Sequence, residues 1–281
     1  MKPVTPVWRL RSLNLKLESP LLMGILNLTP DSFSDGGRHF HPEDALKRAE
    51  QIAAEGADLL DIGAESTRPG ADPVDPAEEW RRLAPVLRAL KNKISIPISL
   101  DTRHGSVARQ ALELGVEAIN DVSLAADSGL LAAVSEAGCG YVLMHSRGEP
   151  GTMMESAVYG DLLGEIHQEL AAGLQRARAA KIAEENIVLD PGFGFAKTPA
   201  QNWELLSRLE ELGDFGRPLL VGLSRKRMLR ECVGEKESAL IAASAVAAGL
   251  AAQRGARILR VHDVAATRAV LQVLQKTGLI P

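Results

Sequence analysis

Cysteine is nearly absent: two residues, Cys139 and Cys232, stand in a chain of 281 with no metal-like spacing between them. That excludes a disulfide framework and a cysteine-based zinc site, and a reduced, cytoplasmic protein is expected. Cys139 lies in apolar company beside a predicted strand and reads as core; Cys232 carries no signal. Aromatics are scarce, at 4% of the chain. Positive charge is not in excess, since the formal net charge is -4, so there is no basic footprint for nucleic acid. No apolar run reaches the length of a membrane span, and Met1-Lys2-Pro3-Val4 lacks the apolar segment of a signal peptide. There is no GxSxG elbow, no HExxH and no paired CxxC. Gly192 to Thr198 lacks the glycine before lysine, and the spacing, of a phosphate loop. Hydrolase, zinc-enzyme, nucleic-acid and membrane classes fall away, and small-molecule partners remain.

What is present is alternation. Strand-like segments are expected at Leu21–Leu28, Leu59–Gly63, Ile96–Leu100, Ala118–Val122, Tyr141–Met144, Ile187–Leu189, Pro218–Leu223 and Arg257–Val261. Each is followed by a helical pattern: about 42–56, 75–91, 105–114, 129–137, 161–181, 199–212, 236–254 and 265–277. In the first helix Ala45, Leu46, Ala49, Ile52 and Ala53 make one apolar face, with Pro42 suited to the first turn and Gly56 to the stop. The strands are short, apolar on both faces and never joined by hairpin turns, the signature of a parallel sheet covered by helices. Eight consecutive strand–helix units favour a closed (β/α)8 barrel, an α/β fold, over a doubly wound open sheet. The length suits one such domain over residues 21–281, with residues 1–20 as an N-terminal extension, a short hairpin capping the barrel bottom.

In such a barrel the C-terminal strand ends meet at one face. Read in order they are Asn27; Ser66-Thr67-Arg68; Asp101-Thr102; Asn120-Asp121; Met144-His145; Asp190 through Phe195; Ser224-Arg225-Lys226; and Arg260 through Asp263. The opposite ends carry far fewer polar groups, and burying so much polarity is costly unless a ligand or partner pairs with it. Asp101, Asn120 and Asp190 suit a flat heterocycle that presents several N–H donors, such as a pterin or guanine edge. Arg68, Lys226, Arg260 and His262 suit a phosphate or diphosphate leaving group. Asn27, with water and diphosphate oxygens, completes a candidate Mg2+ site. Phe33, Phe193 and Phe195 offer apolar walls, or are plain core. Taken singly, most of these residues have plainer readings. Asp101 alone is equally a helix N-cap. Asp121 and Asp263 read as caps or braces, and Asp61 and Glu65 as braces of the loops. His39, His41, His104 and His167 read as structural or solvated, His145 as strand packing or site wall, and Lys197 as a solvated surface lysine. The joint occurrence at the strand ends is what points to a site.

These motifs resemble dihydropteroate synthase of folate biosynthesis, from Gly24 to Val264. The matching segments are Gly24-Ile25-Leu26-Asn27 through Gly37, Asp61 through Gly70, Pro97 through Thr102, and Ile119 through Val122. They continue at Val142 through His145, Leu189 through Thr198, Gly222 through Lys226, and Arg260 through Asp263. The resemblance implies a transferase that joins 6-hydroxymethyl-7,8-dihydropterin diphosphate to 4-aminobenzoate, giving 7,8-dihydropteroate and diphosphate. It implies pterin contacts at Asp101, Asn120, Met144, Asp190, Lys226 and Arg260. It implies diphosphate contacts at Asn27, Thr67, Arg68, Arg260 and His262, with Mg2+ at Asn27. Phe33, Pro69, Phe195, Ser224 and Arg225 would shape the aminobenzoate pocket, and Asp101, Lys226 and Arg68 would carry catalysis. Sensitivity to sulfonamides and a homodimer are family-level expectations.

The chain departs from the family pattern at Ala64, Leu124 and Ala196, where glycine is common, at Ser146, where methionine is common, and at Met228, a frequent aromatic position. None removes a proposed ligand group. A methyltetrahydrofolate:corrinoid methyltransferase would share Asp101, Asn120 and Asp190 without needing Arg68 or the Ser224-Arg225-Lys226 run. A non-catalytic pterin-binding protein would be expected to lose Asn27, Arg68 or Lys226, all of which are intact. One barrel is expected to use the whole length, leaving no room for a fused pathway enzyme. The Ala-rich helix around Ala239–Ala252 has more small apolar residues than one buried face needs, and with the final helix it is the candidate dimer surface, core packing being the alternative.

Overall fold

The computed structural model describes residues 7–28, 42–64, 74–149 and 151–281. The site candidates Phe33, Thr67, Arg68 and Pro69, together with Glu65, His39 and His41, lie outside the described residues.

Two short antiparallel strands, β1 (Val7–Arg9) and β2 (Asn14–Lys16), precede a closed parallel barrel. The barrel strands are β3 (Leu21–Asn27), β4 (Leu59–Gly63), β5 (Ile98–Asp101), β6 (Ala118–Asp121), β7 (Gly140–Met144), β8 (Ile187–Asp190), β9 (Leu219–Val221) and β10 (Ala256–Val261). β10 pairs with both β9 and β3, which closes the ring and leaves it no edge. The helices on the outside are α1 (Pro42–Ala54), α2 (Pro76–Leu90), α3 (Gly105–Glu113), α4 (Ser128–Ala137), α5 (Leu162–Ala179), α6 (Pro199–Ser207), α7 (Arg227–Val233), α8 (Glu237–Gln253) and α9 (Val264–Lys276). This is the expected (β/α)8 barrel.

The period of two along each strand sorts its residues between two cores. Leu60, Ile62, Leu100, Ile119, Leu143, Leu189 and Leu259 face outward into the large cluster shared with the helices. Met23, Leu59, Ala118, Val142, Val188, Leu220 and Ile258 face inward and form a second cluster with Trp8, Leu10 and Leu17. The β1–β2 hairpin thus plugs the bottom of the barrel. Trp8 is fully buried there, and its indole N–H donates to the Asn186 carbonyl at 2.7 Å. The apolar plug leaves only the top of the barrel for polar side chains.

The seventh unit differs from expectation. A short helix, α7, intervenes between β9 and the Ala-rich α8. Its Arg-Met-Leu-Arg-Glu-Cys-Val run buries only Met228 and Leu229, too little apolar periodicity to announce a helix. The sixth helix also stops early, at Ser207, and continues as a 3-10 turn over Leu209–Phe215.

Candidate active site

One ring of paired strand residues crosses the top of the barrel: Asn27 is level with Gly63, Gly63 with Asp101, and Asp101 with Asn120. On the far side Met144 is level with Asp190. One step below this ring, Asp61 is level with Ser99. The barrel therefore gathers Asn27, Asp101, Asn120, Met144, Asp190 and Arg260 at one mouth, directly above the apolar plug.

Arg260 organises the mouth. Its Nε donates to Asp61 Oδ2 at 2.6 Å and its Nη2 to Asp101 Oδ2 at 2.9 Å. Asn120 Nδ2 donates to the same Asp61 oxygen at 3.2 Å. Burial pulls the Arg260 pKa down, but Asp61, Asp101 and Asp190 outweigh it and the guanidinium is held firmly charged. Asp61 Oδ1, Asn120 Oδ1 and the Ser99 hydroxyl are buried and have no hydrogen-bond partner among the described residues. Such orphan acceptors in the interior are costly unless a donor reaches them, which suits a ligand edge rich in N–H groups.

Asp190 faces this group from β8. Its Oδ1 accepts from the Gly192 amide at 2.7 Å. Burial raises its pKa to about 6, against the lowering pull of the Gly192 amide and of Lys226, Arg260 and Lys197. It is a carboxylate at pH 7, but one close to its titration point. The loop after β8 returns through left-handed Gly192 and Gly194 and brings Phe195 under Lys226, whose Nζ lies 4.5 Å from the ring centroid. Ser224 Oγ accepts from the His262 amide at 3.2 Å and lies 3.0 Å from His262 Nδ1. Arg225, at φ 57°, makes a two-pronged pair with Asp263, at 3.1 and 2.6 Å. Buried Ser224 thus holds His262, and the Arg225 guanidinium is held by Asp263.

Several plain readings are corrected. Asp101 caps no helix: α3 begins after His104, and Asp127 Oδ2 takes the Gly105 amide at 3.0 Å. Asp263, read as cap or brace, is the brace: it makes no side-chain cap and pairs with Arg225. Lys197 is no surface lysine; it is 2% exposed and bonded on every side. Of the two readings of Phe193, the core one holds: it is part of the outer core, at 1% exposure. Asp61 braces Arg260 and Asn120 inside the barrel; the sign was legible, since it shares the inward face of β4 with Leu59 and Gly63. Other readings agree with the structure. Asp121 is a brace, accepting from the Ser123 and Ala125 amides and the Tyr141 hydroxyl. His104 pairs with buried Glu79, and His167 stacks on Phe215. His145 is packed inside with no exposure, and Cys139 is core. Two of the departures fall on strained backbone: Leu124 and Ala196 have φ of 58° and 45°, the left-handed region that glycine occupies freely.

Residues 23–262 match the family described as pterin binding enzyme. The dihydropteroate synthase of Neisseria meningitidis serogroup C is 46% identical over 278 residues, 97% of this chain and 98% of that protein. The chain belongs to the dihydropteroate synthase family. Among solved members, Xanthomonas albilineans dihydropteroate synthase with 4-aminobenzoic acid superposes with a TM-score of 0.91 at 44% identity, covering 99% of this chain and 100% of the other. Yersinia pestis dihydropteroate synthase in a sulfonamide drug complex gives a TM-score of 0.91 at 41% identity, covering 97% and 99%. Likeness at this level across the whole length extends family membership to the barrel and its mouth together. No described helix is long and apolar enough to cross a membrane.

Proposed function

We propose that the barrel mouth condenses 6-hydroxymethyl-7,8-dihydropterin diphosphate with 4-aminobenzoate to give 7,8-dihydropteroate and diphosphate, a transferase step of folate synthesis. The observation that carries this reading is the inward ring of Asp101, Asn120 and Asp190 around Arg260, with unpaired buried acceptors, in a chain of this family. Asn120 and Asp190 receive the pterin N–H edge, Met144 packs against the ring, and Lys226 closes the far side over Phe195. Relatives at 46% identity bear the synthase name, which sets aside the methyltransferase and non-catalytic alternatives.

The reaction breaks the bond between the pterin methylene carbon and the diphosphate oxygen, with the electron pair leaving on diphosphate. The electron-rich pterin stabilises the developing cation, and the Asp101 carboxylate beside it favours that charge. The amine nitrogen of aminobenzoate then supplies its lone pair to form the new C–N bond and loses its proton to water. An aryl amine is already unprotonated at pH 7, so no strong general base is needed. Arg68, Thr67, Arg260 and His262 take the diphosphate. Ser224, Arg225, Phe33, Pro69 and Phe195 shape the aminobenzoate pocket.

Asn27 sits at the mouth as a neutral amide oxygen donor. Among the described residues no cluster of His, Cys, Asp or Glu offers a metal cage. That donor set fits Mg2+, which keeps much of its shell as water and substrate oxygens. Bound at Asn27, Mg2+ would neutralise charge on the departing diphosphate. We further read the enzyme as a cytoplasmic homodimer; two free cysteines support a reducing compartment, and an exposed aliphatic stripe on α8 supports the dimer.

The test follows both products in a mixture of the protein, the dihydropterin diphosphate, aminobenzoate and Mg2+. Dihydropteroate and diphosphate should form together and collapse in Arg68→Ala and Lys226→Ala. Pterin binding without either product would refute the synthase reading.

A further inference from the structure

Lys197 follows the loop after β8, two residues beyond Phe195. Its Nζ has three acceptors: the carbonyls of Gly192 at 3.0 Å and Phe195 at 3.1 Å, and His145 Nδ1 at 2.8 Å. An ammonium has three hydrogens to give, so these contacts satisfy it fully. Because Nδ1 accepts, the imidazole proton sits on Nε2, which donates to Glu169 Oε2 at 3.0 Å. Arg147 holds Glu169 at 2.9 Å and lies 3.9 Å over the Tyr159 ring. The Tyr159 hydroxyl donates back to the Ala196 carbonyl at 3.0 Å. The chain of contacts starts and ends on one loop, the loop that follows Asp190 and carries Phe195. That loop rests directly on the end of β7: a Cβ at Gly192 would lie 1.9 Å from the His145 carbonyl oxygen.

The geometry points to Lys197 as a positioning residue for the condensation: its ammonium locks the loop after β8 onto His145, and so holds the Gly192 amide on the Asp190 carboxylate at the pterin edge and Phe195 beneath Lys226. This rests on the synthase reading of the mouth. Lys197 touches no substrate in this role; it sets the place of two groups that do. A misplacement of about 1 Å at such groups can cost on the order of a hundred-fold in rate.

The lock has a defined dependence on pH. Burial lowers the Lys197 pKa to about 7, with Asp190 and Glu169 holding the charged form and Arg147 and Lys226 opposing it. Burial first, and then the neighbouring Lys197 charge, lower the His145 pKa to about 4, so Nδ1 stays an acceptor. Loss of the ammonium proton above pH 7 removes one of three bonds and loosens the loop.

The test compares the full chain with Lys197→Met by steady-state kinetics, both substrates varied, across the range from about pH 5.5 to 9, alongside thermal melts. In Lys197→Met, kcat/KM for the dihydropterin diphosphate should fall about ten- to a hundred-fold, and the alkaline fall in activity near pH 7 should vanish. A variant that melts earlier but keeps the wild-type kcat/KM and pH profile overturns the proposal and leaves Lys197 as packing alone. A wild-type chain that makes no dihydropteroate sinks the synthase reading, and the proposal with it. Should Lys197→Met fail to fold, Glu169→Gln takes its place. Losing that charge should move the alkaline fall to lower pH and cut activity at pH 7 several-fold; a superimposable profile overturns the proposal.

Discussion

The Arg260 guanidinium, on β10, reaches Asp61, on β4, through its Nε at 2.6 Å. Asp61 is fully buried, and it also holds Asn120. Removing one partner of a buried pair leaves an uncompensated charge, which typically costs about 3–5 kcal/mol. Asp61→Ala should therefore lower stability by about 3 kcal/mol and cut kcat/KM for the pterin substrate well over ten-fold. Asp61→Asn keeps the shape and one acceptor and should fall between it and wild type. Chemical denaturation and steady-state kinetics on both variants check this; an Asp61→Ala enzyme with unchanged pterin kinetics would show that Arg260 needs only Asp101.

How far the sequence carried follows from this pair. The barrel was legible because eight short segments, apolar on both faces, alternate with helical patterns and no hairpin turn joins them. Asp101, Asn120, Asp190 and Arg260 were legible as strand ends. Asp61 and Lys197 were not given their true places. Asp61 stands in mid-strand, where only the period of two reveals that it points inward. Lys197 stands in a glycine-rich loop, where no periodicity exists, and its burial depends on His145 and Glu169 from two other elements. α7 escaped because one turn's worth of apolar surface sets no helical pattern.

Asp190 sets the acid side of activity. Its pKa is raised to about 6 by burial. Pterin N–H donors need the carboxylate, so pterin affinity should fall as pH drops through about 6, and Asp190→Asn should bind weakly at every pH with no such step. The sign for folding is the reverse. A carboxyl whose folded pKa lies above its unfolded one favours the folded state only while protonated, and that contribution fades as pH rises from about 4 to 6. Pterin titrations by fluorescence across this window check the binding claim.

Inhibition offers a check on the rim. A sulfonamide carries an aryl amine as aminobenzoate does, and a Yersinia pestis relative is known with a sulfonamide drug. Sulfamethoxazole should inhibit competitively with aminobenzoate and not with the pterin substrate. Normal turnover in its presence would refute the assignment of Phe33, Pro69 and Phe195 to that pocket.

Ala196 holds φ at 45° immediately before Lys197, where the family commonly has glycine. A non-glycine residue there costs about 1–2 kcal/mol, and glycine gives back about half of that in chain entropy. Ala196→Gly should thus stabilise the fold by about 0.5–1 kcal/mol. Its carbonyl bond to Tyr159 would be kept, so kcat should stay within two-fold. Denaturant midpoints, compared with kinetics, separate relief of strain from loosening of the loop.

The α8 surface gives the last test. Ala242, Val246 and Leu250 recur every fourth residue and are all exposed, Val246 by 54% and Leu250 by 41%. Val273, on the neighbouring α9, is 63% exposed. A helix this apolar on its outer side is stable in water when a second surface covers it, and a second copy related by a two-fold axis would bring the same stripe to meet itself. The purified chain should sediment as a dimer. Val246→Glu with Leu250→Glu should sediment as a monomer, since two like charges would face two more across the interface. Both positions are exposed in the single chain, so the melting of the monomer itself should change little. A double variant that still sediments as a dimer would place the contact elsewhere on the barrel.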